Sequence, residues 1–128
     1  MKLSLEAVPE YNQIHSYDDN KVVIRPKNQS HLEPIETNFI LTPEQLFKDW
    51  QVRDITQLTD SELAELKRLD PEVILFATGS GLTVELQQIA AILMQDHIGV
   101  EIMDLGAACR TYNLLLTEER RVVLAVCF

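Results

Sequence analysis

The sequence predicts an α/β domain: a mixed, largely parallel sheet in its C-terminal part, with an N-terminal antiparallel hairpin portion beside it. Three observations carry this reading. Val73–Ala77, Val100–Met103 and Val122–Phe128 are short, largely apolar runs, the pattern of strands covered on both faces. Between them lie two segments with apolar residues at helical spacing. Ahead of them, the first forty or so residues alternate short apolar and polar groups around turn chemistry. Strand, helix, strand, helix, strand in that order gives a parallel layer with right-handed crossovers. At 128 residues the chain is expected to form one domain, 1–128, large enough for a core without staples.

The elements follow in chain order. Asp18-Asp19-Asn20 supplies a turn between Gln13–Tyr17 and Lys21–Arg25, which reads as a hairpin. An extended segment from His31 to Leu41 contains Pro34, which cannot donate to a ladder and so marks an edge or an interruption. Thr42-Pro43-Glu44-Gln45 carries helix-start grammar: Thr as N-cap, Pro at the first position and Gln closing a capping box. A helix ending near Trp50 is expected there. A second box, Thr59-Asp60-Ser61-Glu62, opens a helix that faces Leu63 and Leu66 inward and stops at Asp70-Pro71. After the strand Val73–Ala77 comes Thr78-Gly79-Ser80-Gly81. A helix then aligns Leu82, Leu86, Ile89, Ala90 and Leu93, closed by Gly99. Val100–Met103 reads as a second buried strand, Ala107–Leu116 as a helix after the loop Asp104-Leu105-Gly106, and Val122–Phe128 as a third strand.

Composition excludes several function classes. Eleven Lys plus Arg against twenty Asp plus Glu leave a net charge of −9, without a basic cluster to neutralise phosphates, so neither nucleic acid nor an acidic membrane surface is expected as a partner. No apolar stretch approaches the ~20 residues of a membrane span, and Met1-Lys2-Leu3-Ser4-Leu5-Glu6 has the character of neither a signal nor a transit peptide. The cytoplasm is the expected compartment. Cys109 and Cys127 are too few for a disulfide framework; two buried free thiols are the first reading, with a single bridge left open. His15, His31 and His97 show no metal-ligand spacing with one another or with the cysteines, so neither a metal nor a cofactor is expected.

Ligands of such sheets collect beyond the carboxyl ends of the parallel strands. The loops there are Thr78-Gly79-Ser80-Gly81 and Asp104-Leu105-Gly106. On the following helix Arg110, Asn113 and Thr117 share one stripe, and Cys109, Tyr112 and Leu116 another. Thr78, Gly79, Ser80, Asp104, Arg110 and Asn113 are therefore the candidate surface or ligand site, whereas Cys109 and Tyr112 look like core. Gly79-Ser80-Gly81 could offer backbone N–H groups to a phosphate. However, Val84 stands where the dinucleotide pattern needs glycine and no P-loop lysine follows, so a plain strand-to-helix turn with glycine at positive φ competes with that reading. A catalytic Cys109 lacks the arginine of the phosphatase loop, since Leu115 stands there. Asp104 and Arg110 are expected to pair with each other.

Glu101-Ile102-Met103-Asp104-Leu105-Gly106-Ala107-Ala108-Cys109-Arg110-Thr111-Tyr112-Asn113, followed by Glu119-Arg120-Arg121-Val122, resembles the signature of the small adipogenesis-associated domain family of unknown function, whose relatives include the mitochondrial NADH dehydrogenase (complex I) assembly factor 3. Phe76-Ala77-Thr78-Gly79 resembles that family's Gly-Thr-Gly strand end. Leu105 stands where the family pattern has Thr, and Ala77 where it has its first Gly. The resemblance covers most of the chain after about Val22. It implies a three-layer α/β fold on a central mixed sheet, no established catalytic activity, and in at least one branch a role in assembling a membrane enzyme through protein contacts. The positions that match are Thr78, Gly79, Asp104, Cys109, Arg110, Thr111, Tyr112 and Asn113.

Two functions of different class follow as expectations. The first is a non-enzymatic interaction or assembly protein with an exposed patch near Arg110 and Asn113, its partners by analogy respiratory-complex subunits. The second is a small anionic-ligand (phosphate or nucleotide) binder or modest enzyme using the Gly79/Ser80 turn and Arg110. A homodimer is compatible with the apolar end at Phe128, which permits an edge contact; a central buried strand explains that end equally well.

Overall fold

A computed structural model describes residues 8–79 and 83–128. The hairpin forms where its turn chemistry places it. Strand β1 (Gln13–Asp18) pairs antiparallel with β2 (Lys21–Arg25), and the Asp18 carboxylate accepts from the Asn20 N–H at 2.8 Å to close the turn. The register slips between Ile14 and Ser16, leaving His15 as the extra residue of a bulge. Strand β3 (Glu33–Ile35) adds to β2, making a three-stranded sheet with β2 in the middle. Pro34 lies in this edge strand, as a residue without an N–H requires.

The second sheet has five strands in the order β5-β4-β8-β6-β7. Strands β6 (Val73–Ala77), β7 (Gly99–Met103) and β8 (Val122–Val126) run parallel, whereas β4 (Phe39–Leu41) and β5 (Leu46–Phe47) add antiparallel beside β8. Strands β6 and β8 alternate their side chains between two cores. Val73, Leu75, Ala77, Val122, Leu124 and Val126 face the small sheet and helix α3 (Leu105–Thr117). Ile74, Phe76, Val123, Ala125 and Cys127 face helices α1 (Asp60–Lys67) and α2 (Val84–Met94) and the short 3₁₀ turn Ile55–Gln57. The mixed sheet is thus the middle of three layers.

Four expectations are corrected. Thr42–Gln45 starts no helix: the Thr42 hydroxyl accepts from the Gln45 N–H at 2.9 Å, but the Thr42 N–H also donates to the Gln45 carbonyl at 2.9 Å, so the chain reverses into β5. Reversal lets Leu46 and Phe47 pair with Leu41 and Ile40, and Asp49 at φ 59° ends any continuation. Gly99 does not close α2. His97 takes the left-handed conformation at φ 63°, its N–H and that of Ile98 reach back to Met94 and Leu93, and Gly99 already lies in β7. β7 is an edge strand with half-exposed side chains rather than a buried one. Finally, β8 is flanked on both sides, so no edge is open near Phe128, whose ring packs 6.2 Å from that of Phe39. The Thr59 box, by contrast, forms fully, with Leu63 and Leu66 buried.

One buried side chain joins the layers. Asn12 accepts from the Lys27 N–H at 2.8 Å and donates to the Thr42 carbonyl at 3.0 Å, while its own carbonyl accepts from the Tyr112 hydroxyl at 2.8 Å. A buried amide with its partners made is tolerated; each bond removed singly would strand the other group.

Candidate functional site

The carboxyl ends of β6 and β7 are neighbours, as the candidate site requires. Ala77 lies opposite Met103, and the Thr78 N–H donates to the Met103 carbonyl at 3.1 Å. Gly79 is exposed and does not adopt a left-handed φ; among the described residues nothing would lie within 4 Å of an added Cβ. Positive φ is therefore not what glycine supplies there. Ser80, Gly81 and Leu82 lie outside the described residues.

Asp104 has a structural task. Its backbone is extended and its carboxylate accepts from the Ala107 N–H at 2.8 Å, which makes it the N-cap of α3. Leu105 and Gly106 belong to the first turn of that helix and are not a loop. The expected Asp104–Arg110 pair is replaced by another, because six residues of helix carry Arg110 about 9 Å away from the cap.

The partner of Arg110 is Tyr17, at the far end of β1: Nη1 donates to the phenol oxygen at 2.5 Å. Gly106 permits this. One turn before Arg110, a Cβ at Gly106 would come within 3.0 Å of the Tyr17 ring and 3.2 Å of the Arg110 Nη1. Leu114, one turn after Arg110, is 58% exposed, and Tyr17 is 39% exposed. Gly106, Arg110 and Leu114 recur at i, i+4 and i+8 on one stripe of α3, where Arg110 and Leu114 are exposed and Tyr17 of β1 lies over half-buried Gly106. Arg110 is ion-paired to no carboxylate among the described residues, so a neutral hydroxyl leaves its charge uncompensated.

Asn113 does not belong to this surface. Its Oδ1 accepts from the Ile14 N–H at 3.0 Å and its Nδ2 donates to the Ile14 carbonyl at 2.9 Å. The amide plays the part of one more strand residue along the β1 edge and covers it. Cys109 and Tyr112 are core, 1% and 0% exposed. Burial pushes the Cys109 thiol up to about 12, against a smaller downward pull from the Arg110 charge, and pushes the Tyr112 phenol well above its usual range. Cys127 is likewise buried and pushed up to about 11, chiefly by burial and secondarily by the Asp54 charge. The two thiols are free and project into opposite cores, which settles the bridge left open by sequence. Among the described residues no three His, Cys, Asp or Glu side chains converge as metal ligands.

Of the six candidate residues, Thr78, Gly79 and Asp104 are thus brought to one sheet edge, Arg110 to the exposed β1–α3 face and Asn113 to an internal clamp. Tyr17, Gly106 and Leu114 escaped the sequence reading. The four-residue spacing of Gly106, Arg110 and Leu114 could have found two of them; Tyr17 carries no local signal. Two concavities among the described residues lie elsewhere. Clefts of about 330 and 550 Å³, with Arg120 and Arg121 in both walls, open at the other end of the parallel strands. There Glu72 ties the two arginines: its carboxylate accepts from the Arg121 N–H at 2.9 Å and pairs with the Arg120 guanidinium at 3.2 Å. That backbone bond, assisted by both guanidinium charges, holds the Glu72 carboxyl below the usual carboxylate range.

The model of the family described as "Protein of unknown function (DUF498/DUF598)" matches residues 14–127. An NMR structure of a Xanthomonas campestris protein superposes with a TM-score of 0.75 at 30% identity, covering 98% of this chain and 91% of that one. A crystal structure of a Bordetella parapertussis protein gives 0.70 at 33% identity, covering 94% and 98%. A Bordetella pertussis protein described as a Mth938-like domain gives 0.69 at 28% identity, covering 99% and 92%. A Francisella tularensis protein described as "13 kDa major membrane protein" is 32% identical over 72 residues, and the match spans 56% of this chain and 58% of that relative's length. Among the described residues of this chain, no helix is long and apolar enough to cross a membrane.

Proposed function

Since the chain belongs to the family described as proteins of unknown function (DUF498/DUF598), we propose that it is a non-enzymatic interaction protein, an assembly or accessory factor whose partner docks on the β1–α3 face. The single observation that carries this reading is the Tyr17–Arg110 pair laid over Gly106 beside exposed Leu114. Tyrosine and arginine are the residue types most often dominant in protein interfaces, because each presents a large flat contact with a polar end. Here the hydrogen bond holds both side chains in place before a partner arrives, which reduces the ordering cost of docking. The resemblance to a family whose relatives include an assembly factor makes respiratory-complex subunits the first partners to test, with the cytoplasm as the compartment. A relative described as a membrane protein makes cell fractionation part of the same experiment.

The test is affinity purification of the chain at native expression after mild cross-linking, run beside Arg110→Ala and Leu114→Glu. Recovery of the same respiratory-enzyme subunits with the unaltered chain, and their loss with both variants, is the expected result. Identical recoveries from all three proteins would sink the reading.

The uncompensated charge of Arg110 favours a second reading, a binder of a small anion (phosphate or nucleotide) that takes this guanidinium as its cationic contact. A ligand bound only by the folded state raises the melting temperature. A screen of nucleotides and organic phosphates that moves the unaltered chain, but not Arg110→Ala, would support this reading. The absence of any shift at millimolar ligand would remove it.

A further inference from the structure

On the opposite side of the five-stranded sheet, a groove of about 220 Å³ runs between the edge strand β5 and helix α1. Its floor is apolar: Ile40, Leu66 and Leu69, with Phe47 and Trp50 as one wall. The other wall carries Glu62 and Glu65, one turn apart on α1. β5 pairs with β4 on one side only and closes the sheet, so its outer edge carries no strand among the described residues.

The charges of this edge are unequal. Glu62 already accepts from the Thr59 N–H in the capping box, but Glu65 is exposed and forms no ion pair among the described residues: Lys67 pairs with Asp96 at 2.7 Å, and exposed Arg68, three positions on at the C-cap, makes no bridge to it. Lys48, next to Phe47, is drawn to Glu33 on the small sheet at 3.3 Å. What remains is an apolar slot flanked by aromatic rings and rimmed by unneutralised carboxylate. Rings attract a cation through their faces and carboxylates attract it directly, so acid-rimmed aromatic surfaces select basic ligands.

We infer that the β5–α1 groove is a docking site for a short extended segment of a partner protein that carries a lysine or arginine beside an apolar anchor. The anchor fills the slot over Leu66 and Leu69, the cation meets Glu65 and the wall of Phe47 and Trp50, and the segment's backbone extends the sheet at β5. This site lies on the other face of the sheet from Tyr17 and Arg110, so it stands or falls independently of the β1–α3 surface.

Trp50 is the only tryptophan of the chain and lines the groove, so its emission reports occupancy. The probe is an end-blocked, tryptophan-free octapeptide alternating lysine and leucine, with glutamate replacing lysine in the control. The lysine peptide is expected to change Trp50 emission saturably, with an affinity that falls as salt rises, and the control to leave it unchanged. Glu65→Lys should raise Kd by several-fold to about tenfold, and Phe47→Ala by about tenfold, each with the fold retained by circular dichroism because both side chains are exposed. Glu118→Lys changes the net charge identically on the opposite face of the sheet and should leave Kd within about twofold. The inference is overturned if emission stays flat at millimolar peptide, if the two peptides bind alike, or if Glu118→Lys weakens binding as much as Glu65→Lys. It is equally overturned if emission changes on dilution of the protein alone and sedimentation shows a dimer, because a second copy would then occupy the groove.

Discussion

The side-chain amide of Asn113 makes two hydrogen bonds to the backbone of Ile14, from 99 positions away, and so pairs with β1 as a strand would. The hairpin is fastened to α3 beside its bulge, and its edge is covered at Ile14. This relationship turns a residue with the appearance of surface chemistry into a structural clamp.

Removing the clamp should be costly. Asn113→Ala leaves the Ile14 N–H and carbonyl without partners in a half-buried setting, and an unmet group of that kind costs about 1–3 kcal/mol. Urea unfolding should show a lowered midpoint with an unchanged slope. Arg110→Ala, whose bond is exposed, should cost less than about 1 kcal/mol in the same measurement. A larger loss from Arg110→Ala than from Asn113→Ala would contradict this assignment.

Gly106→Ala should separate stability from binding. In a helix interior this change ordinarily gains about 0.8–1 kcal/mol, and in the first turn, where Gly106 lies, less. Here the new methyl would press on the Tyr17 ring at 3.0 Å and on Arg110 at 3.2 Å. The expected protein is as stable as the original or slightly more so, with the Tyr17–Arg110 bond displaced and partner recovery reduced. Thermal melts and the cross-linking experiment read the two effects separately.

Both thiols should be inert in the native state. Folded values near 12 for Cys109 and 11 for Cys127 lie above the unfolded thiol value of about 8.5. Their contribution to stability is therefore fully present below about pH 8.5 and declines as pH rises towards the folded values. Iodoacetamide at pH 8 should label native protein slowly, at a rate set by opening, and denatured protein at once. Rapid native modification of Cys109, read by mass spectrometry, would point instead to a reactive site.

Glu72 gives the opposite sign. Its folded value lies below the unfolded value of about 4.3, so its contribution is present above that pH and is lost as pH falls through the folded value. Urea midpoints measured from about pH 6 down to pH 3 should fall for the unaltered chain and fall less steeply for Glu72→Gln. Asp54, lowered by its bonds from the Thr56 hydroxyl and N–H, supplies the same sign in both proteins.

Local grammar was legible wherever one segment decided the outcome. The Thr59 box, the alternating hairpin and the apolar strand at 73–77 appear where sequence placed them, and the last strand, expected over 122–128, runs from Val122 to Val126. Thr42 shows the limit, because the same hydroxyl-to-third-N–H bond opens a helix at Thr59 and a reverse turn at Thr42. Pairing of β4 with both β5 and β8 decides that difference, and it lies outside the local window. Left-handed His97 likewise took the role sequence reading gives to glycine. The site was half legible for a related reason: helical spacing separated Arg110 from Cys109 and Tyr112, but Tyr17 and Ile14 reach α3 from 93 and 99 positions away.

Strand β8 occupies the middle of the sheet although it follows every other element in the chain. As a ribosome delivers this domain, β4 and β6 emerge long before the strand that must lie between them, and the hairpin waits for α3. Nascent chains of this topology keep the facing edges of β4 and β6 open until β8 is made, and pairings so distant in sequence close slowly. A stop or frameshift anywhere before residue 122 would therefore remove the keystone rather than trim an end, and the remaining chain would be a substrate for proteolysis.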